Sequence, residues 1–377
     1  MDSRQRFTLA MRHQATDRVP LDIGGTSLTG MRPGCQARLR ELLGFTGQPA
    51  SAGQSAATWR GIDERLLGWI GSDFRSVGAI VSLPGPHTQA LSPTARVDCW
   101  GIRRELVGGD WQITRHPLRD ATVDDLAAFR WPEPRIDESL LATWEAQAKQ
   151  LRAEGRYVVV GEHPVYGILE LGCWMCGYDD FLMRLAVDPD FVLRFFDRAF
   201  VIQMRVIEQY YSALGPHIDL TTSGDDFGGQ NGPLISPRMF ERFIAPYFAA
   251  RIARTKQLTG RYFWHHSCGS VVDLLNQIIG CGVDVLNPVQ TSAAKMAPEQ
   301  LKADFGERIV FWGGVDVQRF LPFATPDEVR ERVVQLAGVL GRDGGYIMAP
   351  AHEMQDDIPP ENIVAWIEAV RSLEVGG

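Results

Sequence analysis

Short runs of β-branched and aromatic residues recur along the chain, and most are followed by stretches whose apolar positions repeat with helical spacing. Eight runs are predicted strands: Val19–Ile23, Phe74–Val77, Tyr157–Gly161, Ile218–Thr222, Tyr262–His266, Val283–Leu286, Ile309–Trp312 and Tyr346–Ala349. Helix starts are legible between the later ones. Thr325 is a predicted N-cap, and Pro326 follows at the first turn, where a missing N–H costs nothing. Eightfold strand–helix alternation predicts an α/β fold, a (β/α)8 TIM barrel, with residues 1–377 read as one barrel domain.

One segment breaks the alternation. From about residue 82 to 135 the chain carries Val97–Val107, a Gly108-Gly109-Asp110 turn and Trp111–Thr114. This predicts a β-hairpin inserted between the second and third strands, covering one mouth of the barrel.

In a parallel barrel the reactive groups stand at the C-terminal strand ends. Here those ends carry Glu162-His163, Ser223-Gly224-Asp225-Asp226 with Gln230 beyond, and His265-His266-Ser267-Cys268-Gly269. The later ends carry Asn287 and Gln290, Asp316, and His352-Glu353. Polar groups on so many separate strands converge on one cavity, which catalysis requires and stability does not.

The sharpest signal is His266-Ser267-Cys268. Alternate residues of an extended segment point the same way, so this imidazole and thiol can share one ion. An N and S donor pair suits zinc better than magnesium or calcium. His352, ending the last strand, is the expected third ligand, with Asp225, Glu162 or Asp316 as alternatives. His265 should face the outer side. Cys173-Trp174-Met175-Cys176 reads as thiols packed as small hydrophobes on a helix.

Composition narrows the rest. The chain is 45% hydrophobic and 22% charged, with a net charge of -8. No basic surplus exists to neutralise phosphates, so neither nucleic acid nor an anionic membrane is an expected partner. No apolar stretch of about 18 residues occurs, and the first residues lack the apolar core of a signal peptide. Six cysteines in 377 residues do not make a disulfide framework, and the cytoplasm is the expected compartment. No phosphate-binding glycine loop and no G-x-S-x-G elbow is present.

At these residues the chain resembles the uroporphyrinogen decarboxylase superfamily. The resemblance is carried by Asp225–Gln230, Ser236–Phe240, Pro246-Tyr247 and His266–Gly269, then by Gly313–Asp316, Ala349–His352 and Pro359–Asn362. True decarboxylases of that superfamily carry an arginine-bearing run near the N-terminus, which holds substrate carboxylates. Residues Leu21–Met31 contain no arginine, so the resemblance points to the zinc-dependent, corrinoid-linked methyltransferase branch. Members with a thiol acceptor have a cysteine where this chain has His352, which makes a thiol acceptor less expected. The branch implies zinc on His266, Cys268 and His352, and a corrinoid (methylcobalamin) supplied by a partner protein. It implies a small methylated substrate, a methoxylated aromatic or a methylated amine. Glu162, Asp225 and Asp226 are then the expected proton-handling or positioning groups. Tyr166, Trp174, Gln230, Trp264 and Asn287 are the expected substrate contacts, with core packing as the competing reading for both tryptophans. The direction of transfer stays open, and a homodimer is compatible with the sequence. The competing functions are a metal-free decarboxylase of a small carboxylic acid and a non-catalytic ligand-binding barrel.

Overall fold

A computed structural model describes residues 1–47 and 61–373. Its strands in chain order are β1 (Phe74–Val77), β2 (Gln89–Ser92), β3 (Ala95–Val97), β4 (Arg103–Val107) and β5 (Asp110–Arg115). They continue as β6 (Val158–Gly161), β7 (Leu220–Gly224), β8 (Tyr262–His266), β9 (Val285–Val289), β10 (Val310–Val315) and β11 (Tyr346–Pro350). Seven of them form one curled parallel sheet in the order β1-β6-β7-β8-β9-β10-β11. Such strands are buried on both faces, which is why Val158-Val159-Val160 is apolar without alternation.

The expected first strand is not a strand. Of Val19–Ile23 only Leu21 bridges in parallel, to Met348. The physical reason lies in its neighbours: Pro20 has no N–H to give, and Gly24 turns the chain at φ 75°. The Asp22 carboxylate folds back to accept from Gly25 N at 3.0 Å and from the Thr26 and Thr29 hydroxyls, each at 3.0 Å. The segment still lies between the two edge strands. Met348 N–H donates to Pro20 O, and Asp73 N–H to Leu21 O, both at 2.9 Å.

Between β1 and β6 the chain forms a separate antiparallel sheet in the order β2-β3-β4-β5. Gly108 and Gly109 join β4 to β5 with φ of 60° and 91°, a two-residue turn that suits glycine.

Two apolar cores hold the sheet. Inside its curl, Phe74, Val158, Val160, Leu220, Trp264, Val285, Trp312 and Ile347 pack together, closed from below by Phe7 and Met11 of the helix Ser3–Met11. Outside it lies a larger cluster against the helices. There the helix Pro189–Leu214 buries Phe191, Phe195, Phe196 and Tyr210 along one stripe. Cys173 and Cys176 are free and fully buried in that outer core. Thr325 caps the helix Pro326–Leu340 through a capping box with Glu328, as the sequence predicted.

Candidate metal centre and its cavity

His266 ends β8 on the inward face, two residues above the buried Trp264, so its ring emerges where the core stops. His265 points the other way: its Nδ1 lies 2.8 Å from Ser223 Oγ, and its ring stacks 5.2 Å from Phe227. After β8 the chain extends to Cys268 and returns its thiol to the same side. The Cys268 Sγ lies 3.3 Å from His266 Nε2. His352, two residues past β11, completes a group whose ligand atoms all lie within 4.8 Å of one another. The three grade from buried His266 through half-buried Cys268 to exposed His352, so the group faces open space.

The donor set fits a metal ion. Zinc bonds of about 2.0–2.1 Å to nitrogen and about 2.3 Å to sulfur place tetrahedral N and S donors about 3.6 Å apart. Burial, followed by the Asp226 and Glu170 carboxylates, pushes the Cys268 thiol well up, and a cation beside the sulfur reverses that effect.

The surrounding backbone holds this geometry. His266 Nδ1 lies 2.6 Å from Asn287 Oδ1, which assigns the proton to Nδ1 and leaves the Nε2 lone pair facing Cys268. Asn287 Nδ2 in turn donates to Trp312 O at 3.3 Å. Cys268 N–H donates to Asp226 Oδ1 at 2.7 Å, and Gly269 N–H to Gln290 Oε1 at 2.8 Å. Gly269 has φ 80°, and a side chain there would come within 2.6 Å of Gly229 O, so two loops meet backbone to backbone. That close approach is why Gly228-Gly229 and Gly269 recur beside the reactive groups.

Two cavities that share lining residues open beside His266 and His352. A cavity of about 180 Å³ is lined by His266, His352, Asp226, Glu170 and Trp174. A larger one of about 700 Å³ is lined by Glu162 and Glu353 on the parallel sheet's edge and by Gln89, Arg96 and Arg104 of the antiparallel sheet. His163, Tyr166 and His352 line both.

The expected site residues divide accordingly. Glu162, Asp226, Tyr166, Trp174 and His352 face the cavities. Glu162 accepts from Ser27 N at 2.8 Å and Ser27 Oγ at 2.9 Å, while burial raises its carboxyl. Four expectations change. Trp264 lies in the inner core with its ring 4.6 Å from Trp312, too deep in the curl to meet a ligand. Gln230 is exposed and outside both cavities, beyond the tight glycine turn that carries the chain away. Asn287 lines neither cavity and holds His266 instead. Asp225 is a buried helix cap, accepting from Leu169 N at 3.1 Å and Glu170 N at 2.9 Å, and burial pushes it up to about 7. Asp316, an alternative third ligand, is occupied by backbone N–H groups of its own turn, Phe320 N at 2.9 Å among them.

Sequence reasoning named His163 only as a strand-end polar group, and it missed Glu170, Arg96 and Arg104. His163 follows Glu162 directly, and burial lowers its imidazole to about 3, so it is neutral. Glu170 sits on the helix Ile168–Cys176, where burial, then Asp226 and Asp225, raise its carboxyl. Its acidic position in an apolar helix is the signal that could have found it.

Polar groups gathered at the C-terminal ends of a curled parallel sheet place the chain among the α/β enzymes that react at that edge. The chain belongs to the uroporphyrinogen decarboxylase (URO-D) family, which it matches over residues 114–373. A uroporphyrinogen decarboxylase from Psychromonas ingrahamii is 31% identical over 74 residues, and the match spans only 20% of either protein. A methyltransferase from Methanosarcina mazei has a similar fold, with a TM-score of 0.65 and 16% identity over 99% of both chains. Among the described residues no helix is long and apolar enough to cross a membrane.

Proposed function

We propose that the chain is a zinc-dependent methyltransferase that moves a methyl group between a small methylated substrate and the cobalt of a corrinoid carried by a partner protein. The observation that carries this reading is the convergence of the His266, Cys268 and His352 ligand atoms beside a cavity that His266 and His352 line. The fold shared with the Methanosarcina mazei methyltransferase adds support. The hydrogen bonds of residues 20–22 to β11 and to Asp73 favour a sheet closed into an eight-membered barrel around that cavity.

Zinc on these three ligands would act as a Lewis acid towards the heteroatom that carries the methyl group. The chain's own groups do the rest. Asn287 keeps the His266 lone pair on the cavity side, and Asp226 fixes the Cys268 backbone. Glu162 and Glu170, both held towards their protonated forms by burial, can carry a proton to or from the heteroatom. Tyr166 and Trp174, with ring centroids 4.8 Å apart, offer an apolar wall for the substrate.

Metal analysis of the wild type, Cys268→Ser and His352→Ala tests the ligand set, and the visible spectrum of added cob(I)alamin with methyl donors tests the transfer. The reading expects about one zinc per chain, lost in both variants. Loss only with Cys268→Ser would move the third ligand to a carboxylate. A metal-free wild type would favour a decarboxylase of a small acid or a ligand-binding barrel.

A further inference from the structure

Arg96 on β3 and Arg104 on β4 are direct cross-strand partners. Residues so paired project from the same face, and like charges placed there repel and destabilise the sheet. Both line the 700 Å³ cavity, opposite the edge that carries Glu162 and His352. Packing holds them in place. The Arg104 guanidinium lies 5.0 Å from the Trp174 ring centre, and that of Arg96 lies 4.3 Å from the Trp111 ring centre.

Among the described residues, Asp98 is the carboxylate in contact with the pair. Asp98 Oδ2 lies 3.5 Å from Arg104 Nε, while its Oδ1 accepts from Trp100 N at 2.9 Å and Ile102 N at 3.1 Å. Glu162 and Glu353 also line this cavity, but burial holds Glu162 towards its protonated form and Glu353 is paired with Arg32, which leaves Asp98 as the carboxylate facing the two guanidinium groups. The Arg104 contact uses Nε, which leaves its terminal N–H pair directed elsewhere. Stacking on Trp111 and Trp174 offsets part of the repulsion between the two arginines and keeps both guanidinium groups at the cavity wall. The pair matches a planar anion, which a guanidinium fork grips with two parallel hydrogen bonds.

We infer that Arg96 and Arg104 form a carboxylate-binding subsite, so that the substrate is an acid that presents its methylated end to His266, Cys268 and His352 and its carboxylate to the antiparallel sheet. The inference rests on the proposed methyltransferase reading for the methylated end only. Trp174 joins the two ends, since it carries Arg104 on its face and lines the smaller cavity beside His266. A flat ring between carboxylate and methoxy groups would lie along Tyr166 and Trp174. Methylamines, which are cations at neutral pH, would be repelled by the arginine pair and bring it no counter-ion.

The test is calorimetric titration of the metal-loaded protein with 4-methoxybenzoate and with its neutral counterpart 4-methoxybenzamide. The wild type should bind the benzoate at least about tenfold more tightly, the size of one charge-assisted hydrogen-bonded contact. Arg104→Gln should erase that preference, Arg96→Gln should reduce it, and Arg104→Lys should restore only part of it, because an ammonium lacks the fork. Thermal unfolding of Arg104→Gln at or above the wild-type midpoint would exclude a folding defect. Equal binding of the two probes by the wild type, absence of binding included, would overturn the subsite, as would a preference that survives both glutamine variants. Methyl transfer to cob(I)alamin is scored apart. A benzoate preference without transfer would sink the enzymatic reading and keep the subsite, whereas transfer from both probes without preference would do the reverse.

Discussion

Asn287 Oδ1 accepts from His266 Nδ1 at 2.6 Å, and this contact decides which nitrogen of the imidazole faces the cavity. The pair spans two neighbouring strands, β8 and β9, whose register sets His266 beside Asn287. A ring held in this way loses little freedom when it takes a metal, and the bond makes Nε2 a better donor.

Asn287→Ala should therefore weaken zinc binding by about 10–100-fold while leaving all three ligands in place. Competition with a chromophoric chelator measures this. Unchanged affinity would mean that the histidine is oriented by packing alone.

Gly269→Ala should damage the centre without touching a ligand. Its φ of 80° and the 2.6 Å approach of an added side chain to Gly229 O force the two loops apart. The expected cost is about 1–3 kcal/mol of stability together with lost metal. Urea unfolding and metal analysis read the two effects, and a variant that kept both would show the loop contact to be dispensable.

Trp264→Phe tests the reassignment of that residue to the inner core. Removing half of a stacked pair with Trp312 should lower the unfolding midpoint by the equivalent of about 1–3 kcal/mol. Binding of the methoxybenzoate probe should not change. A variant of native stability with weakened binding would return Trp264 to the substrate site.

Asp22 supplies a pH dependence. Burial raises its carboxyl from 3.8 to about 7 in the folded chain. Between these values the unfolded chain has released the proton and the folded chain still holds it, so the folded state binds more protons. Stability is then greatest below pH about 4 and falls as pH rises towards 7, by at most about 1.4 kcal/mol per pH unit. The stability of the wild type relative to Asp22→Asn should fall from pH 5 to 7 and level off above that in denaturant titrations. A gap independent of pH would show that Asp22 ionises normally.

Much of this protein is legible in one dimension. Seven of the parallel strands follow from runs such as Tyr262–His266 and Tyr346–Ala349, because a strand buried on both faces must be apolar along its length. Period-two geometry likewise puts His266 and Cys268 on one side and His265 on the other, since backbone pleating is local. Other features depend on groups distant in the chain. The depth of Trp264 is set by Trp312 and by Phe7 from the N-terminal helix, and alternation marks the inward face without marking how far down it a residue lies. The roles of Asp225 and Asn287 depend on a helix end and an imidazole that only folding brings near them. The pairing of Arg96 with Arg104 is a matter of strand register, and only the tertiary structure puts both on the wall of the cavity that Glu162 and His352 also line. The sequence by itself determined the periodic elements and the ligand types, because these rest on local backbone geometry and side-chain chemistry. The tertiary structure alone decided depth, partners and charge balance in the cavity, because these are sums over residues that the chain order keeps apart.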